Sequence, residues 1–431
     1  MKGKRERRKY ALRCPVAILG DGVSGRAAAR LARALGSSVK TFAENGVLFG
    51  PKEARWAKLV VTSPGFPKDH PWLQLAESTG CSVIGELDFA SIVWPGEIIA
   101  VTGSNGKTSV TKFLTKVLRE YGIEAFATGN IGYPLSAAVI EHASSSAVAI
   151  CEVSSFQAET LQFLRPSSVL WTSFSEDHLD RHANLHEYFE AKANLARRTS
   201  PDRLFLGEGV MQAAKSLGRH YLRGFDWQSA TIHSDEEIPE DSPFSLGPQS
   251  GNYSLVRAFC RERGLPDDLV RRVARQFDLP DHRFSEPIKV DEISFWNDSK
   301  ATNFGAAVAA CGHFAKKAFW IGGGQPKGGN LEAFCHRLKD IVQRAYLIGS
   351  SAPDMLSHFA RIGTPAQSFA CLGDAVRAAF QEAGRKADIV FSPGFASFDQ
   401  FANYEDRGKS FERAVLNLKK PENQLIRSNM A

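Results

Sequence analysis

A short apolar strand runs directly into a glycine-containing loop and then into a helix near residue 100. The strand is Ile98 to Val101, and the loop reads Thr102-Gly103-Ser104-Asn105-Gly106-Lys107-Thr108, with Ser109 next in the chain. In such a loop glycines let backbone N–H groups face phosphate oxygens, the lysine neutralises the β- and γ-phosphates, and the threonine hydroxyl binds Mg²⁺. Valine at position 101 replaces the first glycine of the strict pattern. The segment still predicts a parallel α/β sheet with ATP bound at its carboxyl edge.

Length and composition indicate a multidomain globular protein. A chain of 431 residues is too long for one ordinary core, and 43% hydrophobic with 23% charged residues is typical of soluble proteins. No apolar run reaches the ~18 residues that cross a bilayer, and Gly20 and Asp21 interrupt the first strand, where a signal peptide would stay apolar. The 7 cysteines include no Cys-x-x-Cys pair, which argues against disulfides and structural zinc. We predict a cytoplasmic protein without membrane insertion.

The formal net charge of +6 is concentrated at the amino terminus. Residues 1–13 hold seven basic residues and Glu6, so this tail alone contributes +6 and the rest of the chain is close to neutral. A basic arm for nucleic acid is one interpretation. A solvated tail is the one that we prefer, and we predict no nucleic-acid partner.

Strands alternate with helices throughout, and Trp94-Pro95-Gly96 and Leu279-Pro280 are natural joints. We predict an α/β chain of three domains. Residues 1–94 form a Rossmann-like N-terminal domain that begins with the basic tail, residues 95–280 form a central phosphate-loop domain with a mainly parallel sheet, and residues 281–431 form a Rossmann-like C-terminal α/β domain.

The first domain opens with the strand Val16 to Leu19 and the turn Gly20-Asp21-Gly22-Val23-Ser24-Gly25. A helix that begins after such a turn can receive a pyrophosphate. A dinucleotide would also need an acidic residue at the end of the next strand, where Glu44 is a possible candidate. We favour a UDP-sugar pyrophosphate over NAD.

Two further segments, Trp296 to Asn303 and Ser392 to Phe401, follow the phosphate loop in the chain. In this order the three segments resemble the muramyl ligases, specifically their D-glutamate-adding members, and the resemblance covers about Val16 to Arg413. It implies an ATP-dependent enzyme that joins D-glutamate to UDP-N-acetylmuramoyl-L-alanine through an acyl phosphate, in bacterial peptidoglycan precursor synthesis. It also implies two Mg²⁺ ions.

The resemblance implies a role for each of several residues. The catalytic residues are Lys107, Glu152, His178 and Lys192, and the metal ligands are Thr108, Glu152, His178 and Lys192. Arg283 and Asp298 join the phosphate loop in binding ATP. The UDP-substrate residues are Gly22, Val23, Ser24, Ser63 and Asn130. The D-glutamate residues are Lys300, Thr302, Lys327, Ser397 and Tyr404. Simpler interpretations exist: Glu152 as an edge-of-sheet carboxylate, Asn130 as a turn residue, and Arg283 as part of a hinge salt bridge.

Lys192 lies in a segment that reads as a helix, Leu185 to Ala196. Helical spacing places it on the apolar face, together with Tyr188 and Phe189. A lysine there usually extends its ammonium to water. The resemblance instead implies that CO₂ carbamylates its amine, giving an anion with two oxygens that ligates Mg²⁺ as an ammonium cannot.

One segment departs from related ligases, which carry a His-Asn-x-x-Asn run for adenine. Here the run is Gly251-Asn252-Tyr253-Ser254-Leu255, so adenine contacts must differ. A folylpolyglutamate-type ligase is the nearest rival enzyme, but it should lack the segment Ser392 to Phe401. A nucleic-acid-stimulated ATPase is a rival from another class. We predict a monomer.

Overall fold

The computed structural model describes residues 12–142, 144–207, 209–218, 237–284, 286–384 and 386–419. Most of the basic tail, residues 1–11, therefore lies outside the described residues. The chain divides into two compact units. The first comprises residues 1–174, 184–236 and 251–273, and the second comprises residues 175–183, 237–250 and 274–431.

The first unit begins with a four-stranded parallel sheet in the order β2-β1-β3-β4. Its elements are β1 (Val16–Leu19), α1 (Val23–Ala34), β2 (Val39–Phe42), α2 (Pro51–Trp56), β3 (Leu59–Thr62), α3 (Pro71–Ser78), β4 (Ser82–Gly85) and α4 (Glu86–Val93). The predicted Rossmann-like opening is present: β1 is fully buried and leads through the glycine turn into α1.

A five-stranded parallel sheet follows in the same unit, in the order β6-β7-β5-β8-β9. Its elements are β5 (Glu97–Thr102), α5 (Lys107–Glu120), β6 (Ala125–Gly129), α6 (Leu135–His142), β7 (Val148–Glu152), α7 (Ser155–Glu159), β8 (Ser168–Trp171), α8 (Leu185–Ala196), β9 (Leu204–Leu206), α9 (Val210–Leu217), α10 (Ser250–Glu262) and α11 (Asp267–Arg275). Because β5 lies between β7 and β8, the loops after these three strands meet at one edge.

One continuous apolar cluster joins the two sheets of the first unit, and it includes the buried side chains of Trp94 and Trp171. Two acidic residues of α4 also form hydrogen bonds with segments that connect strands of the second sheet. Asp88, which is fully buried, accepts hydrogen bonds from the backbone N–H groups of Phe163 and Leu164 at 3.1 and 2.8 Å. Glu86 accepts one from Ser136 N at 2.7 Å. The first two sheets are thus held together by packing and by buried hydrogen bonds.

The second unit has a six-stranded sheet in the order β10-β11-β15-β12-β13-β14, in which β10 is antiparallel and the other pairs are parallel. Its elements are β10 (Ile288–Val290), β11 (Ile293–Asn297), α12 (Phe304–Cys311), β12 (Ala318–Gly323), α13 (Leu331–Lys339), β13 (Val342–Ile348), α14 (Ala352–Ile362), β14 (Ala366–Ser368), α15 (Leu372–Glu382), β15 (Asp388–Phe391) and α16 (Tyr404–Leu418). Apolar clusters cover both faces.

Three mainly parallel sheets confirm the predicted α/β class. Each predicted domain range holds one sheet, and the boundaries at residues 94 and 280 stay a prediction. No helix among the described residues is long and apolar enough to cross a membrane.

Candidate active site

The phosphate loop lies between β5 and α5, as the sequence predicts. Gly106 precedes the first helical residue with φ of 86°, and no side chain caps that helix start. A Cβ atom on Gly106 would lie 2.2 Å from Asn252 Oδ1, so only glycine fits there. The N–H groups at an uncapped helix start are available to bind an anion, so this loop and helix can bind the phosphates of ATP.

Residues after β8 hold this loop in place, and sequence reasoning missed them. Ser173 Oγ lies 2.9 Å from the backbone nitrogen of Asn105, from which it accepts, and it also donates to the carbonyl of Asn105 at 3.0 Å. Thr172 Oγ1 donates to the same carbonyl. Their position directly after a central parallel strand is the signal that would have pointed to them. The Lys107 ammonium donates to the carbonyls of Gly103 and Ser104 at 2.7 and 2.9 Å.

Glu152 stands at the end of β7 with its side chain almost fully buried. Its two carboxylate oxygens accept from Thr108 Oγ1 at 2.7 Å and from Asn130 Nδ2 at 3.0 Å. The structure therefore brings together a predicted metal ligand pair, Thr108 and Glu152, with a predicted substrate residue. The donor set of carboxylate, hydroxyl and amide oxygens fits a hard cation such as Mg²⁺.

Lys192 lies in α8 with only 1% of its surface exposed, so its side chain is buried and does not extend to water, which is the alternative set aside above. Its Nζ atom donates to Gly103 O at 2.9 Å and lies 4.6 Å from the centre of the Tyr188 ring. The Tyr188 hydroxyl in turn is 3.0 Å from Ser104 Oγ. The helix thus delivers Lys192 to the phosphate loop.

The predicted UDP-substrate residues of the first sheet lie around the start of α1. Gly22 precedes this helix without a side-chain cap, and Val23 and Ser24 form its first turn. Ser63, which directly follows β3, has a buried hydroxyl with no hydrogen-bond partner among the described residues. A Cβ atom on Gly20 would lie 2.5 Å from that hydroxyl. An unpartnered buried hydroxyl beside an uncapped helix start fits a pyrophosphate ligand.

In the second unit, Asp298 follows β11 and is 7% exposed. Ser392 Oγ donates to its Oδ2 atom at 2.8 Å. Burial raises the pKa of Asp298 to about 7, against the opposing effects of that hydrogen bond and of the charges on Arg283 and Arg407. Arg283 has a buried Nε atom without a hydrogen-bond partner among the described residues. Asp298 and Arg283 are therefore buried polar side chains that could bind a ligand.

The raised pKa of Asp298 predicts a pH-dependent stability. Between about pH 4 and pH 7 the folded protein keeps a proton that the unfolded chain has lost, so stability falls as pH rises through that range. The difference between the ordinary 3.8 and about 7 corresponds to about 4 kcal/mol. We expect Asp298→Asn to remove this dependence, so that in urea unfolding the variant gains stability over the wild type from pH 5 to pH 8. Asp340→Asn, at an exposed site, is the control. A constant difference across pH would contradict the prediction.

Lys327 and Thr302, two predicted D-glutamate residues, lie together. The Lys327 ammonium is 2.8 Å from Asp177 Oδ1 and 3.5 Å from Thr302 Oγ1, and Asn303 donates to Asp177 Oδ2 at 3.1 Å. Burial acts to raise the pKa of Asp177, but the charges of Lys327 and His178 and the hydrogen bonds from Lys327 and Asn303 prevail and hold it at about 2. Asp177 is therefore an anion, which sequence reasoning did not assign.

Arg407 is another residue that sequence reasoning missed. It is 1% exposed, donates to the carbonyls of Ser299, Phe395 and Ala396 at 2.8, 3.0 and 3.2 Å, and also bonds the Ser299 hydroxyl. Burial lowers its pKa to about 10. The sequence places Arg407 in a helix, one turn after Tyr404, but it contains no signal for the distant residues that Arg407 contacts.

The other three predicted D-glutamate residues, Lys300, Ser397 and Tyr404, lie close in sequence to Arg407 or to the residues that it contacts. The Lys300 ammonium lies 4.0 Å from the centre of the Tyr404 ring, which gives the aromatic residue a cation partner. Ser397 is 3% exposed and directly follows Ala396. All five predicted D-glutamate residues therefore belong to the second unit.

The predicted metal ligands are divided between the two units: Thr108, Glu152 and Lys192 belong to the first and His178 to the second. His178 has φ of 56° and its Nε2 atom is 3.6 Å from Asp177 Oδ2. Within the described residues, no three His, Cys, Asp or Glu side chains form a metal-binding group. The role of His178 as a ligand stays a prediction.

Known proteins share this fold and this loop. Residues 101–219 match the Mur ligase middle domain. Among solved structures, UDP-N-acetylmuramate-alanine ligase MurC from Thermotoga maritima superposes with a TM-score of 0.57 at 15% identity, over 94% of this chain and 99% of that one. The MurF ligase of Thermotoga maritima, solved in complex with ADP, gives 0.55 at 15% identity, over 86% and 97%. The chain therefore has the Mur ligase fold, and the region that holds the phosphate loop is a Mur ligase middle domain.

Relatives with higher sequence identity show which kind of Mur ligase this chain resembles. The UDP-N-acetylmuramoylalanine–D-glutamate ligase of Acidobacterium capsulatum is 31% identical over 93% of this chain and 96% of its own length. The enzyme of the same name from Trichodesmium erythraeum is 30% identical over 93% and 96%. The chain belongs to the UDP-N-acetylmuramoylalanine–D-glutamate ligase family.

Proposed function

We propose that this chain is an ATP-dependent ligase that adds D-glutamate to UDP-N-acetylmuramoyl-L-alanine in peptidoglycan precursor synthesis. The observation that carries the proposal is the identity of about 30% across 93% of the chain with ligases named for this reaction. The phosphate loop and the buried polar clusters described above give the reaction its chemistry. A folylpolyglutamate ligase shares the central loop but not this identity across the whole chain.

The first unit binds ATP and the UDP-substrate. The N–H groups of the phosphate loop, from Gly103 to Ser109, hold the phosphates at the start of α5, and Lys107 turns from the loop carbonyls toward the terminal phosphates. Thr108 and Glu152 of this unit would hold Mg²⁺, which would supply positive charge where the carboxylate and the triphosphate approach, and His178 stays a proposed ligand. Gly22, Val23, Ser24 and Ser63 hold the UDP pyrophosphate, and Asn130 contacts the muramoyl group.

The substrate carboxylate attacks the γ-phosphate, ADP leaves, and the amine of D-glutamate displaces phosphate from the resulting acyl phosphate. Asp298 and Arg283 contact the nucleotide. Lys327 holds the side-chain carboxylate of D-glutamate, with Ser397 and Tyr404 at its far side and Lys300 and Thr302 close to the amine and the phosphates. Lys327 offers three donors, so one can stay with Asp177 while others bind the substrate.

Lys192 has a separate role in the proposal: its neutral amine adds to CO₂ and releases a proton to give a carbamate, which would be a second anionic ligand for Mg²⁺. Burial supports this because an amine removed from water favours its neutral, nucleophilic form. Adjacency to Gly103 supports it as well, because the product oxygens then lie beside the phosphate loop.

The test is an assay of ADP release with purified protein and the UDP-muramoyl substrate. Release should require D-glutamate, and the product should gain one glutamate by mass. L-glutamate is the matched control for the acceptor. ADP release that needs DNA or RNA and ignores D-glutamate would instead favour the nucleic-acid-stimulated ATPase. We also propose that the enzyme acts as a monomer in the cytoplasm, to be checked by light scattering and by fractionation.

A further inference from the structure

Three loops meet at the carboxyl edge of the sheet in the second unit. We call Gly324–Asn330, after β12, the lysine loop because it carries Lys327. The middle loop is Gly349–Ser351, after β13, and the serine loop is Ser392–Asn403, after β15, which carries Ser397. The lysine and serine loops hold proposed D-glutamate residues, whereas the middle loop holds none.

The lysine and serine loops are hydrogen-bonded to each other. Gln325 N donates to Ala396 O at 2.9 Å, and Ala396 N donates to Gln325 O at 3.1 Å, which is one antiparallel bridge. Gln325 lies two positions before Lys327, and Ala396 lies next to Ser397. The distance between the two D-glutamate residues thus depends on how firmly this bridge is held.

The middle loop is also hydrogen-bonded to the lysine loop, at Gly324. The backbone nitrogen of Gly324 donates to Ser351 Oγ at 3.1 Å, and Ser351 N donates to Gly324 O at 3.1 Å. Ser350 Oγ reaches the same carbonyl at 3.2 Å. Ser351 is only 1% exposed, so replacing its hydroxyl would leave the N–H of Gly324 buried without an acceptor.

Asp399 joins the middle loop to the serine loop. Its Oδ2 atom accepts from Ser350 N at 2.8 Å, two residues before the start of α14, where a negative charge is favoured. A Cβ atom on Gly349, whose φ is 73°, would lie 2.4 Å from the same oxygen. The close approach of this carboxylate therefore requires glycine at 349. Asp399 lies two positions after Ser397.

We propose that Ser351 and Asp399 are positioning residues for the acceptor site, and the proposal rests on the proposed function. They close a ring of hydrogen bonds that runs from the lysine loop through the middle loop to the serine loop and back through the bridge between Gln325 and Ala396. The ring fixes the separation of Lys327 and Ser397 without contacting the amino acid. Loosening it should weaken the binding of D-glutamate and leave the binding of ATP unchanged.

The experiment compares Asp399→Ala, Asp399→Asn and Ser351→Ala in the full-length chain. We expect the KM for D-glutamate to rise about fivefold in Asp399→Ala and about tenfold in Ser351→Ala, with the KM for ATP within about twofold of the wild type. Asp399→Asn keeps an oxygen acceptor for Ser350 N and should stay close to the wild type. Asp374→Ala, which removes an exposed acid from the first turn of α15 in the same unit, is the matched control.

Hydrogen exchange without substrates separates the two proposals. In Asp399→Ala the amides of residues 349–352 should exchange faster than in the wild type and in Asp399→Asn, whatever the chain ligates. Unchanged exchange would overturn the ring, and faster exchange with an unchanged KM for D-glutamate would overturn its positioning role. A wild-type chain that shows no D-glutamate-dependent ADP release would overturn the proposed function, while the exchange result would still decide whether the ring exists.

Discussion

Lys192→Ala is expected to lose ligation by about a hundredfold or more, because even outer partners of a metal site contribute on that scale. The structure links Lys192 to the phosphate loop directly, because its amine donates to Gly103 O, and its neighbour Tyr188 contacts Ser104 of the same loop. Truncation removes the carbamate ligand and leaves a buried space next to Gly103. ADP release and ligated product should both fall.

Three measurements decide the role of Lys192. Lys112→Ala, an exposed lysine of α5, is the control and should keep wild-type activity. Intact-mass analysis in bicarbonate should show an added carboxyl group in the wild type that is absent from Lys192→Ala. Rigorous removal of CO₂ should lower the wild-type rate. Full activity in Lys192→Ala would refute the carbamate proposal.

Lys327→Ala is expected to raise the KM for D-glutamate about tenfold to a hundredfold, through loss of a charge-assisted contact of ~1.5–3 kcal/mol. The KM for ATP should change much less. The same substitution leaves the Asp177 carboxylate buried without its cation, since the two charged groups are 2.8 Å apart and Asp177 is 6% exposed. A loss of stability is therefore expected in addition.

A double variant separates binding from stability. Asp177→Asn removes the unpaired anion, so the double variant of Lys327→Ala with Asp177→Asn should recover thermal stability but keep the raised KM for D-glutamate. Lys339→Ala, at an exposed position of α13, is the control. Equal weakening of ATP and D-glutamate in Lys327→Ala would show that the assignment of Lys327 to the acceptor is wrong.

The phosphate loop was predictable because its chemistry is local. Few structures are compatible with a strand followed by two glycines, a lysine and a threonine within eleven residues. The order of this loop and the two later segments, Trp296 to Asn303 and Ser392 to Phe401, was enough to indicate the family, which the relatives confirm. Helix α8 was also predicted at its observed ends, Leu185 and Ala196, because its apolar spacing is regular.

The neighbours of each polar side chain were not predictable in the same way. Spacing placed Lys192 on an apolar face, but it could not decide between a solvated ammonium and a buried one. The carbonyl that it binds lies 89 positions away in the sequence. The pairing of Lys327 with Asp177 spans 150 positions, and the contacts of Arg407 with Ser299 span 108.

By itself, then, the sequence determined the strand–helix alternation, the position of the nucleotide loop and the family. These depend on backbone conformation and on short-range periodicity, which neighbouring residues dictate. Only the tertiary structure decided that Asp298 keeps its proton to about pH 7, that Asp177 is an anion, and that three loops are joined around Gly324. Burial and charge at a point in space depend on every chain segment that packs there, and no local pattern encodes them.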